Sequence, residues 1–301
     1  MHIVISGGTG LVGKALSKKL RTLGHSVSIL TRNRENKQNE SNLQYVEWLS
    51  DTKPEQELGN VDAIINLAGA SISKRWTKAH KKRMLNSRIK ATQECIRIMQ
   101  NLPERPNVFI SASAMGYYGI SRTDTFTEES APANSNFLQE VSERWEKEAK
   151  PAEDMGIRTV YARFGLILDS KEGALPKMML PYKLGAGGPI GSGEQWYSWV
   201  HREDVVHFLI HALEHSGMEG AYNVTAPNPE RMRDFGKELS RVLRRPHWLP
   251  APAFAVRMAL GEMSVLILEG QKVIPEKTKQ SGYQFYYENL DHALGSLLRK
   301  K

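Results

Sequence analysis

A glycine-rich turn between a predicted strand and a predicted helix constrains the fold of this chain more than any other feature. Residues 2–6 form a short run rich in β-branched side chains, and the pattern Gly-x-Gly-x-x-Gly follows at residues 8–13. Residues 14–23 then carry apolar side chains at helical spacing, and residues 27–30 form a second apolar run. A strand, a glycine turn, a helix and another strand within about thirty residues are typical of a parallel βαβ unit.

The spacing of the glycines predicts a dinucleotide site. The first glycine allows a tight turn, the second lets backbone N–H groups approach a pyrophosphate, and the third lets the helix pack against the strand. An ordinary glycine-rich turn is the alternative, because the bare pattern carries little information. We expect seven residues of the turn to contact the cofactor: Gly7, Gly8, Thr9, Gly10, Leu11, Val12 and Gly13.

The end of the second strand favours NADP over NAD. NAD sites usually place an acidic side chain about twenty residues after the glycines, where it accepts a hydrogen bond from the ribose 2′-hydroxyl. Here the strand ends in Thr31, Arg32, Asn33 and Arg34, and no acid occurs before Glu35. Guanidinium groups pair well with phosphate oxygens, so Arg32 and Arg34 are predicted to hold a 2′-phosphate, with Thr31 beside them. NAD is the less favoured alternative, in which both arginines are simply solvated.

The alternation of strands and helices continues along the chain and predicts an α/β fold with a doubly wound parallel sheet of the Rossmann type. Further strands are predicted at residues 44–48, 63–67, 108–111, 159–164 and 221–224, and helices at residues 78–100, 136–154, 203–215, 231–243, 253–268 and 290–298. Glycine and proline are frequent between residues 173 and 193, where we expect irregular structure that covers the substrate. The predicted parts are an NADP-binding domain at 1–170, completed by parts of 195–230, a mainly substrate-covering region at 171–248, and a small helical C-terminal domain at 249–301.

Composition and charge exclude several classes of protein. With 40% hydrophobic residues, a single cysteine and no apolar stretch of about 18 residues, the chain is expected to be neither disordered nor disulfide-built nor membrane-spanning, and a cytoplasmic location is expected. The net charge of +8 equals the eight basic residues of one acid-free segment, residues 71–93. Such a local segment indicates an anionic ligand or partner at one place, and does not indicate a surface-wide site for nucleic acid or membrane. No metal site is predicted.

Several motifs resemble those of a known family. They are GGTGLVG at residues 7–13, NLAG at 66–69, SISKRWT at 71–77, SASA at 111–114 followed by Tyr117, Tyr118 and Gly119, and WVHRED at 199–204. Over nearly its whole length the chain resembles the extended short-chain dehydrogenases/reductases, and more narrowly the epimerase family proteins that carry a small C-terminal domain of unknown function. The resemblance implies that Leu67, Ala68, Gly69 and Ser111 line the cofactor, and that Arg163, Phe164 and Gly165 lie at its nicotinamide end.

The catalytic pattern of that superfamily is incomplete in this chain. Its members carry a Tyr-x-x-x-Lys pair on one helix face and a nearby serine, and the lysine ammonium assists proton transfer by the tyrosine. Ser113 matches the serine, but Phe137 stands at the tyrosine position and Val141 at the lysine position. Arg88 stands where the superfamily often has an asparagine. The candidates for proton transfer are therefore Ser113, Tyr117, Tyr118 and Glu140.

The basic segment supplies the candidate substrate residues. Its start follows a predicted strand and should overhang the crevice at the sheet edge, where Arg75 and Trp76 suit an anionic substrate with a flat or apolar part. Arg88 is a further candidate contact. His201 has no metal or nucleophile partner at suitable spacing, and we interpret it as structural.

Two functions follow as hypotheses. The first is an NADP(H)-dependent oxidoreductase or epimerase that acts on a small or nucleotide-linked anionic substrate. The second is a non-catalytic NADPH-binding sensor or regulatory protein, which the absence of the Tyr/Lys pair suggests. The sequence leaves the oligomeric state open, with a homodimer as one option.

Overall fold

The computed structural model describes residues 1–299, and its secondary structure alternates between strands and helices. The strands are β1 His2–Ser6, β2 Ser26–Thr31, β3 Leu43–Glu47, β4 Ala63–Asn66, β5 Val108–Ala114, β6 Thr125–Phe126, β7 Arg158–Phe164, β8 Leu166–Leu168, β9 Trp196–Tyr197, β10 Trp199–His201, β11 Gly220–Val224, β12 Glu230–Arg231 and β13 Lys272–Val273. The α-helices are α1 Leu11–Thr22, α2 Pro54–Leu58, α3 Lys78–Asn101, α4 Phe137–Ala149, α5 Pro151–Asp154, α6 Leu175–Lys183, α7 Arg202–Glu214, α8 Met232–Leu243, α9 Ala253–Leu260, α10 Val265–Leu268, α11 Glu276–Gln280 and α12 Leu290–Leu298. Short 3₁₀ helices lie at Met115–Tyr118 and Gly261–Ser264.

Seven of these strands form one parallel sheet in the order β11-β7-β5-β4-β1-β2-β3. Every neighbouring pair in that sheet is parallel, so the carboxyl ends of all seven strands lie at one edge. The order reverses between β1 and β4, and ligands of open α/β sheets bind in the crevice outside such a point. The predicted doubly wound fold is confirmed.

The sheet is covered on both faces by apolar helices. On one face α1 and α7 pack against the sheet through buried side chains such as Leu16 and Phe208. On the other face α3 and α5 bury residues that include Ile98 and Ala152. Strands buried on both faces read as nearly continuous apolar runs, which is why β1 and β4 were evident in the sequence. No helix among residues 1–299 combines the length and apolar character needed to cross a bilayer.

Two predicted helices are shorter than the periodicity indicated. The helix predicted at residues 136–154 ends at Ala149, and α5 begins afresh at Pro151, because proline lacks the N–H that would continue the hydrogen-bonding pattern. The helix predicted at residues 253–268 is interrupted after Leu260, where Gly261 adopts a φ of 59°. Conversely, α6 forms inside the glycine- and proline-rich stretch that predicted irregular structure.

The C-terminal helices pack onto the rest of the chain. Leu175 of α6, Phe235 of α8 and Leu294 of α12 belong to one buried apolar cluster. Tyr283 and Phe285 belong to the core beneath α7. The boundaries at residues 170 and 248 stay a prediction, and the regions on either side of the second boundary share a core.

Candidate cofactor and active site

The glycine turn between β1 and α1 is built for close backbone approach. Gly7 adopts a φ of 70°, and its carbonyl oxygen accepts a hydrogen bond from the N–H of Gly10 at 2.9 Å. A Cβ on Gly13 would collide with the Gly7 carbonyl oxygen and would lie 2.6 Å from the Cα of Gly8. Gly10 begins the helix without a side-chain cap. The helix N-terminus therefore presents backbone N–H groups and positive dipole charge to the crevice, as a pyrophosphate site requires.

The remaining turn residues lie at the mouth of the crevice. Thr9 is exposed, whereas Leu11 and Val12 are partly buried at the start of α1. A loop from the predicted substrate-covering region lies close to this point, because Lys14 pairs with Glu172 at 3.4 Å. Further along the same segment, the ammonium of Lys177 donates to the carbonyl oxygen of Ser73 at 3.2 Å. Residues 172–177 thus bridge the crevice from α1 to the loop after β4.

Polar side chains fix the loop that follows β4. Buried Asn66 accepts a hydrogen bond from Ser6 Oγ at 2.6 Å and donates one to Thr92 Oγ1 at 2.9 Å. A Cβ on Gly7 would lie 2.7 Å from the backbone of Leu67, so the glycine turn and this loop are in direct backbone contact. Leu67 and Ala68 consequently lie beside the glycine turn, and the cofactor contact that the resemblance implies for Leu67, Ala68 and Gly69 stays a prediction.

The end of β2 places arginines at the same edge of the sheet. Thr31 accepts from the N–H of Asn33 at 3.4 Å and so fixes the turn after the strand. Arg34 is bound to Glu57 at 2.9 Å, whereas the exposed Arg32 has no carboxylate partner within residues 1–299. A surface cavity of about 310 Å³ is lined by Arg32, Asn33, Arg34, Glu35 and Glu47. Arg32 is thus the arginine available to a 2′-phosphate, while Arg34 would have to leave Glu57.

A buried ion pair lies where β5 and β7 end. Ser113 donates from Oγ to Oε1 of Glu146 at 2.6 Å, and Arg163 binds both carboxylate oxygens of Glu146 at 2.8 and 2.9 Å. Burial acts to lower the pKa of the Arg163 guanidinium, but the hydrogen bonds and charge of Glu146 raise it further than burial lowers it. These bonds hold the Arg163 side chain in the interior, which argues against its predicted contact with the nicotinamide end of the cofactor.

The two candidate tyrosines differ in their surroundings. Tyr118 is fully buried, accepts from Arg163 at 2.9 Å and donates to Asn223 at 2.7 Å. Burial raises the pKa of the Tyr118 phenol to about 12, which Arg163 only partly offsets. This geometry argues against the predicted catalytic role of Tyr118. Tyr117 is partly exposed, its ring lies 3.6 Å from the Arg163 guanidinium carbon, and its hydroxyl has no hydrogen-bond partner within residues 1–299.

The structure separates Glu140 from these groups. The Glu140 side chain is 46% exposed and pairs with Arg144 at 3.1 Å on the outer face of α4. Phe137 packs edge-on against Trp76 with ring centroids 5.4 Å apart, and Val141 is buried. The geometry thus argues against Glu140 as a replacement acid or base. The sequence analysis missed Glu146, whose signal was an acidic residue next to Trp145 on the buried face of the predicted helix.

The three candidate substrate residues differ in their exposure and contacts. Trp76 is buried and donates from Nε1 to the carbonyl oxygen of Ile72 at 2.9 Å, so its indole braces the loop against α4. Arg75 is exposed. Arg88 lies deeper, where one of its guanidinium nitrogens donates to the carbonyl oxygens of Ala70 and Met84 at 3.2 and 2.9 Å.

Three further predicted cofactor residues lie at the ends of β5 and β7. Ser111 is fully buried, which argues against the predicted cofactor contact of its side chain. Phe164 is partly buried and packs against the core. Gly165 lies against the backbone of Ser198, where a Cβ would collide with the Ser198 carbonyl oxygen. Gly165 is therefore needed for packing whether or not a cofactor lies nearby.

The WVHRED motif attaches the C-terminal residues to α7. Buried Asp204 accepts from the backbone N–H groups of Tyr286 and Tyr287 at 2.7 and 3.1 Å and from the hydroxyl of Tyr283 at 3.1 Å. His201 caps α7 by accepting from the N–H of Glu203, and burial lowers the pKa of its imidazole to about 4. The geometry supports the structural interpretation of His201.

The fold, the glycine turn and the crevice define an NAD(P)-binding protein of the Rossmann type. A family model described as "NAD dependent epimerase/dehydratase family" matches residues 3–225, and a second, "Domain of unknown function (DUF1731)", matches residues 251–297. The chain belongs to the NAD-dependent epimerase/dehydratase family, which confirms the resemblance noted in the sequence.

The chain is similar in sequence or structure to several known proteins. Epimerase family protein YfhF of Bacillus subtilis (strain 168) is 51% identical over 300 residues, which cover 99% of this chain and 98% of the relative. The human epimerase family protein SDR39U1 (isoform 2), solved with NADPH, is 31% identical, with a TM-score of 0.87 over 99% of each chain. A nucleoside-diphosphate sugar epimerase from Corynebacterium glutamicum is 28% identical, with a TM-score of 0.79 over 99% of this chain and 58% of that one.

Proposed function

We propose that this protein is an NADP(H)-dependent oxidoreductase or epimerase of the extended short-chain type, acting on an anionic substrate. One observation carries the proposal: the glycine turn, Arg32 and Tyr117 follow strands β1, β2 and β5 of a single parallel sheet, at its carboxyl edge, where Ser113 also lies near the end of β5. A dinucleotide bound along that edge would bring its reactive end toward the polar side chains. The similarity to an NADPH-bound human protein and to a nucleoside-diphosphate sugar epimerase supports the same proposal.

The residues at the glycine turn fit NADP(H). The N-terminus of α1 would bind the pyrophosphate through backbone N–H groups, because Gly13 allows the helix to approach the turn. Arg32 would bind the 2′-phosphate, since no carboxylate among residues 1–299 forms an ion pair with its guanidinium. The loop at Leu67 to Gly69 would lie against the adenine-ribose part of the cofactor, next to the turn that it contacts.

Proton transfer is the task left to the side chains of this chain. The chemistry that a bound NADPH supplies is the transfer of two electrons with a hydrogen to a carbonyl carbon, and the carbonyl oxygen must then receive one proton. The Tyr117 hydroxyl forms no hydrogen bond to any other group of the described residues, so we assign the role of proton donor to Tyr117. Ser113 would hold the carbonyl oxygen only by giving up its hydrogen bond to Glu146.

A non-catalytic role as an NADPH sensor is the second candidate. This role is favoured because the α4 positions that carry tyrosine and lysine in the superfamily are Phe137 and Val141 here. Both side chains pack against their neighbours and cannot donate a proton. The nearby carboxylate of Glu146 is already neutralised by Arg163. On this account Tyr117 would contribute only to packing.

Turnover measured alongside cofactor binding separates the two candidates. We would follow NADPH oxidation over a panel of carbonyl compounds and keto-sugar nucleotides that carry carboxylate or phosphate groups, in the wild type, Tyr117→Phe and Glu140→Gln. We expect Tyr117→Phe to lower kcat by about 10²- to 10⁴-fold with an unchanged Kd for NADPH, and Glu140→Gln to keep full turnover. Tight NADPH binding without turnover of any panel member favours the sensor, and equal turnover by Tyr117→Phe would refute the role of Tyr117.

A further inference from the structure

Arg88 is a partly buried cation of α3 that lies beside the loop after β4 and has no acidic partner within residues 1–299. Its guanidinium is anchored by the carbonyl oxygens of Ala70 and Met84, and no carboxylate within residues 1–299 pairs with it. Burial lowers the pKa of the Arg88 guanidinium to about 10, so the group keeps its charge at neutral pH. Proteins rarely bury a cation unless an anion pairs with it.

Trp145 supplies a second unsatisfied donor beside this cation. The Arg88 guanidinium carbon lies 4.9 Å from the centre of the Trp145 ring. Trp145 is 6% exposed, and its indole N–H has no acceptor in the part of the chain that the structure describes. Leaving a buried donor without an acceptor is unfavourable, and native structures usually supply an acceptor for such a group.

The two groups define the ligand by their chemistry. A guanidinium and an indole N–H both donate hydrogen bonds and accept none, so their partner must be an acceptor. Positive charge selects an anion among acceptors, and the planar fork of Arg88 favours carboxylate or phosphate oxygens. The adjacent Glu146 does not repel such an anion, because its charge is balanced by Arg163 at 2.8 Å.

The position of the two groups indicates the part of the ligand that they recognise. A Cβ on Gly69 would lie 3.0 Å from the Arg88 guanidinium carbon, which places Arg88 directly beneath the loop after β4. Trp145 lies one helical turn after Val141, and Val141 is the position at which the superfamily carries its catalytic lysine. The cofactor pyrophosphate belongs instead at the N-terminus of α1, after β1.

We propose that Arg88 and Trp145 together bind the carboxylate or phosphate group of the substrate. This proposal rests on the proposed function, because it assigns the bound anionic group to the substrate of that function. Binding itself does not depend on turnover. The same chemistry also suits a phosphate of the cofactor, and the experiment must distinguish the two sources.

The test follows the indole N–H of Trp145 by NMR in protein labelled with ¹⁵N at tryptophan. The chain has six tryptophans, and Trp145→Phe identifies the signal that belongs to Trp145. Acetate and inorganic phosphate are titrated against chloride at constant ionic strength, with and without saturating NADPH. We expect each anion to shift the Trp145 signal saturably and to leave the other indole signals in place. We expect the same response to the anions when NADPH is bound.

Variants of α3 establish the role of the cation. We expect Arg88→Met to weaken binding of either anion by about ten- to hundredfold, whereas Arg83→Met, which removes an exposed arginine of the same helix, leaves it unchanged. Arg88→Lys keeps the charge without the planar fork, and its affinity for the anions should lie between those of Arg88→Met and the wild type. This variant tests the role of the guanidinium if Arg88→Met does not fold.

Several outcomes would overturn the proposal. A Trp145 signal that does not respond to either anion in the wild type refutes it, and so does an equal response in Arg88→Met. Loss of anion binding on addition of NADPH assigns the pocket to the cofactor and also refutes the substrate site. Saturable anion binding in the wild type, combined with no turnover of any panel member, would leave this site standing while the proposed catalytic function fails.

Discussion

Replacing Glu146 with glutamine should destabilise the protein strongly. Glu146 accepts from Ser113 and binds Arg163 through both oxygens, and the two charged side chains are only 11% and 5% exposed. Breaking a buried ion pair by removing one partner costs about 3–5 kcal/mol, because the other charge stays buried without compensation. Glutamine keeps one acceptor oxygen, so we expect a loss near the lower limit, about 3 kcal/mol, which corresponds to a fall in Tm of roughly 6–12 °C.

Glu140→Gln is the matched control on the same helix. The Glu140–Arg144 pair spans 3.1 Å but is about half exposed, and such i,i+4 pairs contribute about 0.3–0.5 kcal/mol. Scanning calorimetry on both variants gives the comparison directly. A Glu146→Gln variant that melts within 1–2 °C of Glu140→Gln would refute the buried pair. The double variant Glu146→Gln/Arg163→Met should recover part of the loss, since it removes the orphaned charge.

Three further variants test other parts of the structure. Gly13→Ala should weaken NADPH binding at least tenfold in a fluorescence titration, because its Cβ would displace the turn at Gly8, and unchanged affinity would contradict the role of the turn. Because burial lowers the pKa of His201 to about 4, the free energy of unfolding should fall as the pH drops below about 6.5, where His201 of the unfolded chain takes up a proton. In urea titrations between pH 6.5 and pH 4, His201→Asn, which can keep the helix cap, should lose about 3 kcal/mol less of this free energy than the wild type. An identical acid profile of the two proteins would contradict the assignment. Asp204→Ala should expose the C-terminal residues to limited proteolysis, because three donors lose their acceptor, and an unchanged cleavage pattern would count against this attachment.

The sequence predicted the sheet well because its strands and turns carry local signals. The glycine turn and the buried apolar runs each depend on a few consecutive residues. The end of α4 at Pro151 was also a local signal, but the helical periodicity on either side of it masked the break. By contrast, α6 formed among glycines and prolines because its apolar side chains, including Leu175, pack against α8 and α12.

The active-site prediction was weaker because its decisive contacts join distant residues. Ser113 and Glu146 are 33 positions apart, and Tyr118 and Asn223 are 105 apart, so no pattern in the chain reveals their pairing. Tyr117 and Tyr118 are neighbours in sequence, yet only Tyr118 is enclosed by the core. Only the folded structure therefore distinguishes the hydrogen-bonded phenol of Tyr118 from that of Tyr117, because the residue type is the same at both positions.

The preference between NADPH and NADH tests the central claim most directly. We would measure the Kd of each cofactor by isothermal titration calorimetry for the wild type, Arg32→Ala and Arg34→Ala. The account predicts that the wild type binds NADPH at least tenfold more tightly, that Arg32→Ala removes most of this preference with little change for NADH, and that Arg34→Ala has a smaller effect because Arg34 is already paired with Glu57. A wild type that prefers NADH, or an Arg32→Ala variant that loses both cofactors equally, would contradict it.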